Sequence, residues 1–270
     1  MIPHNIYYCW FGDNEMPELV LKCIDSWKKY LKDYTIHRID ETNFDIDEFD
    51  YAREAYQRKH WAFVSDVART KVLVDKGGIY LDTDVELIQS IDDLISKGAF
   101  LGSEDDYVFA KDSLLSLGEG KSRGLVQVVN PGLVMCFESN NELLEELLEG
   151  YRNDHYVQSN RRLNRNTIVT RMTSILKKYG YNECLTEIQN VKDITIYPSE
   201  YFAPYSNVYG TQETTPNTRS IHHYAASWFS PVGKLKTNIR RKFIGKGKMA
   251  YALGYGMTIP LAVIDRVINR

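Results

Sequence analysis

Strand-like and helix-like stretches alternate along the 270 residues, which predicts an α/β fold: a mixed, mainly parallel sheet covered by helices. Three observations carry this. Short apolar runs at Ile6–Trp10, Ile79–Asp82 and 194–197 have strand length, and the segments between them repeat their apolar residues at helical spacing. The helical stretch His60–Lys76 stops at Gly77-Gly78 and feeds straight into a strand. At 43% apolar and 26% charged residues, the chain can fill a sizeable core and is not disordered by composition.

Ile6–Trp10 reads as the first strand, stopped by Gly12. Pro17 opens a helix, since proline is tolerated in a first turn, and Leu19, Val20, Cys23, Ile24, Trp27 and Leu31 give it one buried face. Tyr34–Ile39 is the second strand, and 44–58 reads as a loop with a short helix. In His60–Lys76, residues Phe63, Val64, Val67, Ala68, Val72 and Leu73 fall on adjoining faces. The strand Ile79–Asp82 follows, then strands at 99–102, 132–137, 194–197 and Ser220–Tyr224, with helices at 141–152 and 166–178. No internal repeat is present.

Ligands of open α/β sheets sit beyond the carboxyl ends of strands, and Asp82-Thr83-Asp84 occupies such an end. Two carboxylates leaving a strand two residues apart suit one hard cation, Mg²⁺ or Mn²⁺. The preceding helix runs back against the strand, rising ~1.5 Å per residue. Asp66 and Arg69 therefore return to the level of Asp82, and three-residue spacing puts them on one helix face. Acids and an arginine converging there suit a metal-bound diphosphate or a sugar. The competing reading of Asp66 and Arg69 is an ordinary surface ion pair.

The run Phe63-Val64-Ser65-Asp66-Val67-Ala68-Arg69, followed by Gly77-Gly78-Ile79-Tyr80-Leu81-Asp82-Thr83-Asp84, resembles the sugar-binding DXD segment of GT-A glycosyltransferases. It is most similar to the glycosyltransferase family 32 type, which includes yeast Golgi mannosyltransferases and bacterial capsule enzymes and shares the segment with clostridial glucosylating toxins. Ile2-Pro3 with Tyr8-Cys9-Trp10-Phe11-Gly12 resembles the family's first strand, and Ile221-His222-His223-Tyr224-Ala225-Ala226-Ser227-Trp228 its closing motif.

The resemblance implies a metal-dependent, retaining transfer of a sugar from a nucleotide-sugar donor, a UDP-sugar first, to a hydroxyl of a glycan or lipid-linked glycan in surface polysaccharide synthesis. It implies Asp84 as main metal ligand, Asp82 serving the metal shell and the donor's ribose, and Asp66 and Arg69 gripping donor sugar and diphosphate. Trp10 stacks on the base, with plain core filling as its alternative, and Tyr80 joins the donor contacts. Asn130 resembles a donor-sugar contact and Trp228 closes over the donor. His222 and His223 are both candidates for Mn²⁺ (or Mg²⁺); adjacent strand residues face opposite sides, so one reaches the site and the other is structural. A segment near 203–230 is a candidate lid. The Thr-Gly-Pro tripeptide that many members carry before an acceptor helix is absent, with Thr170-Arg171-Met172 in its place.

Two other functions compete. Ile79–Glu86 resembles the haloacid-dehalogenase phosphatase motif, with Asp82 as nucleophile, although Glu86 stands where that motif needs Thr or Val. A non-catalytic nucleotide-sugar or glycan-binding module is the second alternative.

Charge divides the chain. Residues 234–270 hold nine Lys/Arg against one acid, Asp265, so the formal net charge of −3 resolves into +8 there and −11 on 1–233. An acidic body with a basic tail is not, as a whole, the profile of a nucleic-acid-binding protein. It also sets the expected domains: 1–233 as the catalytic unit and 234–270 as an extension. Lys234–Lys248 carries seven bases, and Met249–Ile264 no charge at all, interrupted by Gly254, Gly256 and Pro260. Sixteen residues are too few to span a bilayer, which predicts an extension lying on an anionic membrane surface or packing on the body. Four scattered cysteines without a C-x-x-C pair, and an opening Met1–Gly12 without a leader pattern, predict a cytoplasmic location, and the basic cluster beside the apolar stretch predicts attachment at the inner face of the membrane.

Overall fold

A computed structural model describes residues 1–107, 125–206 and 211–225, and in the tail 232, 235, 239, 253, 254 and 256–261. The first strand, β1 (Asn5–Cys9), is followed by helix α1 (Glu18–Tyr30), which starts directly after Pro17, as its fixed φ favours. Next come β2 (Thr35–Ile39), a 3₁₀ turn (Ile46–Glu48), α2 (Asp50–Tyr56) and α3 (Trp61–Lys76). Then β3 (Gly78–Tyr80), β4 (Val85–Leu87), α4 (Asp92–Ile95) and β5 (Phe100–Tyr107) follow. The later half holds β6 (Leu125–Val129), β7 (Met135–Phe137), α5 (Glu142–Arg152), α6 (Ile168–Lys178), β8 (Gln189–Val191), β9 (Ile194–Tyr197) and α7 (Ser199–Phe202). Short β10 (Tyr205–Ser206), β11 (Thr211–Gln212) and β12 (Ser220–His222) close the described chain.

The main sheet runs β2-β1-β3-β7-β5-β9-β8, with β6 added to β5. β1 pairs in parallel with β2 and β3, β7 is antiparallel to β3 and β5, and β9 is parallel to β5. Strands β1, β2, β3, β5 and β9 thus share one direction, while β6, β7 and β8 oppose them. This is the expected mixed sheet, mainly parallel in direction.

Strand alternation divides the core. Tyr7, Cys9, Tyr80, Met135 and Phe137 face one layer, packed with α2, α3, α5 and α6. Ile6, Tyr8, Ile79 and Cys136 face the other, against α1, where Trp27 is fully buried and donates its Nε1–H to the Val85 carbonyl at 2.8 Å. The α3–β3 turn needs both glycines. Gly77 and Gly78 have φ of 62° and 115°, and a Cβ would meet backbone at 2.7 Å in each case. That tight turn sends β3 back along α3 and fixes which residues of the helix lie beside Asp82.

Two strands lie where the sequence reading had none near the site: β4, just past Asp84, and β6. The closing stretch is shorter than Ser220–Tyr224, because β12 ends at His222. It pairs antiparallel with β4, setting His222 opposite Val85. Among the described residues, no helix is long and apolar enough to cross a membrane.

Candidate active site

Asp66 and Arg69 are 6% and 4% exposed, which removes the surface ion-pair reading. Arg69 Nη1 is 3.1 Å from Asp82 Oδ1 and Nη2 is 3.4 Å from Asp66 Oδ1. Its Nε donates to the Ser65 carbonyl at 3.2 Å, and its guanidinium lies 4.4 Å over the Tyr80 ring. All three guanidinium nitrogens and one face are engaged, so in this arrangement Arg69 holds two carboxylates in place. Tyr80 adds a hydroxyl donated to Asp82 Oδ1 at 2.9 Å. The first amide of α6, Ile168 N, donates to Asp66 Oδ2 at 3.3 Å.

Burial pushes the Asp66 carboxyl up to about 6, against Arg69's opposing charge and with Asp82 adding to the rise. Asp82 Oδ2 rests over Gly132, where a Cβ would come within 2.1 Å of it. That glycine is held by Asn130, whose Oδ1 accepts from Gly132 N at 2.8 Å, while Asp82 N donates to the Gly132 carbonyl at 2.9 Å. Asn130 thus lies next to Asp82.

Asp84 is built from the other end of the chain. Its Oδ1 is 3.3 Å from His222 Nε2, its Oδ2 accepts from Ala225 N at 2.8 Å, and its carbonyl accepts from His223 N at 2.9 Å. Burial pushes the Asp84 carboxyl up, but His222's charge and hydrogen bond, with the Ala225 amide, bring it below the usual carboxylate range. Burial lowers His222 in turn, and Asp84 and Glu104 more than reverse that, leaving it raised. The two histidines point apart: His223 Nε2 lies 2.8 Å from Glu86 Oε2, away from Asp84.

Sequence reasoning missed Glu104 on β5. Its side chain is 15% exposed, accepts from the Tyr224 hydroxyl at 2.9 Å and lies 4.0 Å from His222 Nδ1, a nitrogen shut off from solvent without a hydrogen-bond partner among the described residues. Burial raises the Glu104 carboxyl, opposed by His222, Asn130 and Tyr224. Tyr224 adopts φ of 48°, a left-handed conformation costly for a bulky side chain. Its hydroxyl bond and the next residue's amide bond to Asp84 hold it there.

Among the described residues, no three His, Cys, Asp or Glu side chains already surround one point as a metal set. Asp84 and His222 nonetheless fit a divalent ion. Ligands ~2.1 Å from a shared octahedral ion lie ~3 Å apart at right angles, close to their 3.3 Å separation. Carboxylate and imidazole suit Mn²⁺, and Glu104, 4.0 Å from His222 Nδ1, is the carboxylate placed to accept from that nitrogen once the imidazole binds a metal.

Trp10 stands just past β1, half-buried, with its Nε1–H donated to the Asn14 carbonyl at 2.8 Å. Trp228 lies outside the described residues, as does part of the expected lid at 203–230.

A family model described as capsular polysaccharide synthesis protein matches residues 1–197. A search of curated proteins finds no match. Among solved structures, the PaToxG glycosyltransferase is 17% identical, covering 66% of this chain and 69% of its own, with a TM-score of 0.42. A glycosyltransferase involved in glycosylation of the major capsid of PBCV-1 is 11% identical, covering 90% and 100%, also at 0.42. The galactosyltransferase LgtC, solved with donor and acceptor sugar analogues, is 14% identical over 83% and 88%, at 0.40.

Proposed function

The chain belongs to the capsular polysaccharide synthesis protein family, and from that premise we propose a GT-A-type glycosyltransferase that moves a sugar from a nucleotide-sugar donor, a UDP-sugar first, to a hydroxyl of a glycan or lipid-linked glycan. One observation carries this most: Asp82 and Asp84 leave the same strand end, one fixed by Arg69 and the other facing His222. Asp84 and His222 would hold Mn²⁺ or Mg²⁺, which when bound supplies positive charge against the leaving nucleoside diphosphate. Arg69 fixes Asp82 so that Oδ2, the oxygen it leaves free, is presented to a donor hydroxyl. Trp10 offers a ring for base stacking, worth ~1–3 kcal/mol, and Tyr80 backs the Arg69 guanidinium. Asn130 positions the Gly132 backbone beneath the donor sugar. Transfer proceeds with retention, which requires no dedicated carboxylate base. The segment around Tyr224 excludes water.

Thermal unfolding with a panel of nucleotide sugars tests this. The matching donor with Mn²⁺ stabilises by ~2.7 kcal/mol at 100-fold over Kd. Asp84→Ala removes that shift and lowers donor turnover by about 10²–10³-fold, while its ligand-free melting point falls because His222 and the Ala225 amide lose their buried partner. A full shift in EDTA would overturn the metal's role, and no shift with any nucleotide sugar would overturn the donor class.

The extension 234–270 forms a second part that attaches the enzyme to the cytoplasmic face of an anionic membrane, where a lipid-linked acceptor is concentrated. Leu253, Met257 and Ile259 support this, being 60%, 58% and 56% exposed; most of the basic stretch 234–248 lies outside the described residues. Full-length protein is expected to float with anionic vesicles at low salt and to release at high salt, whereas a chain ending at Pro231 stays unbound. Equal behaviour of the two would discard the attachment.

A further inference from the structure

The arginines of the body divide into two sets. Arg38, Arg53, Arg69, Arg152, Arg171 and Arg219 each lie within ion-pair distance of a carboxylate. The remaining described arginines, Arg58, Arg161, Arg162 and Arg165, have no carboxylate within 4.0 Å among the described residues, and all four side chains are exposed. In a body carrying −11, four unneutralised guanidinium groups would be expected to scatter. Instead they fall on two joined stretches: Arg58 and Arg165 beside His60 at the α2–α3 corner, and Arg161 and Arg162 at the tip of the hairpin fastened to that corner.

Both stretches are fixed by backbone and side-chain bonds. Residues 156–164 form a small hairpin, with Val157 bridged to Leu163 and Asn164 N donating to the Tyr156 carbonyl at 2.7 Å. Arg161 and Arg162 stand at its tip, where Arg161 N donates to the Gln158 carbonyl at 2.7 Å. The hairpin is fastened to the α2–α3 corner by Tyr156 Oη and His60 Nδ1, 2.8 Å apart, and by Val157 N donating to Glu54 Oε2 at 2.7 Å. Arg58 lies in that corner, two residues before His60. Burial, then the charges of Arg165 and Arg58, lower the His60 imidazole, so both guanidiniums act on the same ring. The nearby carboxylates are committed elsewhere: Glu54 to Val157 and His155, Asp50 to Arg53, and Asp154 to Arg171.

The cluster borders the active site. His60 precedes Asp66 by six residues of α3, ~9 Å at 1.5 Å per residue. Arg165 leads into α6, whose first amide bonds Asp66. The proposed donor machinery of Asp82, Asp84 and His222 lies on the far side of Arg69, and its diphosphate is already provided for. A second cationic group on the Asp66 side of Arg69 is therefore placed for the other substrate.

We propose that Arg58, Arg161, Arg162 and Arg165 form a subsite for anionic oxygens, carboxylate or phosphate, carried by the acceptor glycan. This rests on the glycosyl-transfer reading. Guanidinium forks match both anions in bidentate geometry. The acidic surface around them repels a polyanionic chain elsewhere and so orients it toward this edge.

The test uses the full-length chain and three defined probes by titration calorimetry: oligogalacturonate, poly(glycerol phosphate) and neutral dextran, with single-stranded oligothymidine as a control. Wild type is expected to bind at least one anionic glycan polymer and not dextran, and to bind it less tightly as salt rises. R161Q/R162Q/R165Q is expected to weaken that binding by about tenfold or more with an unchanged melting point and an unchanged shift with nucleotide and Mn²⁺. Preference between the two polymers identifies carboxylate or phosphate as the anion. Equal affinity of wild type and variant would assign the binding to the basic extension and overturn the subsite, as would oligothymidine binding as tightly as the glycans. Loss of glycan binding in the variant, with no nucleotide sugar binding to wild type, would keep the anion subsite and discard the transferase reading instead.

Discussion

Asp82 and Asp84 stand two residues apart in opposite surroundings. Asp82 belongs to a closed cluster: Arg69 on one oxygen, the Tyr80 hydroxyl beside it, Asp66 across the guanidinium, and α6 capping Asp66. All of it but the α6 cap is set by α3, its glycine turn and β3. Asp84 is completed only when the chain returns, through His222, Ala225 and the Glu104–Tyr224 bond. The first region shows how a charge is buried by being shared; the second leaves one imidazole nitrogen without a partner among the described residues and one tyrosine in a costly backbone conformation. A site with a fixed half and a half closed by a returning segment can hold its carboxylates ready while the other end admits a ligand.

The largest expected effect is on the fixed half. Arg69→Met removes the charge shared by Asp66 and Asp82, and breaking a buried pair from one side costs about 3–5 kcal/mol. The sign of its pH dependence follows from Asp66, whose folded-state carboxyl is already pushed up to about 6. A raised acid takes up a proton more readily folded than unfolded, so stability rises as pH falls through the folded value toward the unfolded one. Without Arg69 the rise is steeper. Urea unfolding at several pH values is expected to show the Arg69→Met deficit shrinking from pH 8 toward pH 5. A deficit independent of pH would mean that Arg69 contributes by packing alone.

The same contrast explains how much was legible in the sequence. Asp66, Arg69 and Asp82 depend on local geometry, helix rise, a glycine turn and strand rise, so spacing alone brought them to one level. The burial of Asp66 and Arg69 was not legible, because α3 is covered on most of its circumference and an apolar stripe cannot mark its inner polar residues. Strand β4 escaped because three residues after Asp-x-Asp look like any loop until β12 pairs with them. Strand β6 escaped because its buried Gln127 reads as a surface residue; the structure satisfies it with Ser103, Asp105 and Ser199. Glu104 sits in the polar run Ser103-Glu104-Asp105-Asp106, and its purpose appears only when residues 118 and 120 positions later fold back over it.

A smaller effect separates the two halves more sharply. Glu104→Gln keeps an oxygen that can accept from Tyr224 but removes the negative charge 4.0 Å from His222 Nδ1. If Glu104 serves His222 as the carboxylate behind a metal-ligating imidazole, losing that charge weakens Mn²⁺ binding by about 10–100-fold. Stability should barely change, since the shape and the tyrosine bond persist. Mn²⁺ titration followed by electron paramagnetic resonance reads affinity without any substrate, and thermal unfolding reads stability in the same samples. Arg69→Met and Glu104→Gln should then fall on opposite axes, the first losing stability and the second losing metal affinity. Unchanged Mn²⁺ affinity with a lowered melting point would instead make Glu104 a fold residue whose service is to hold Tyr224, and the distinction between the two halves would disappear.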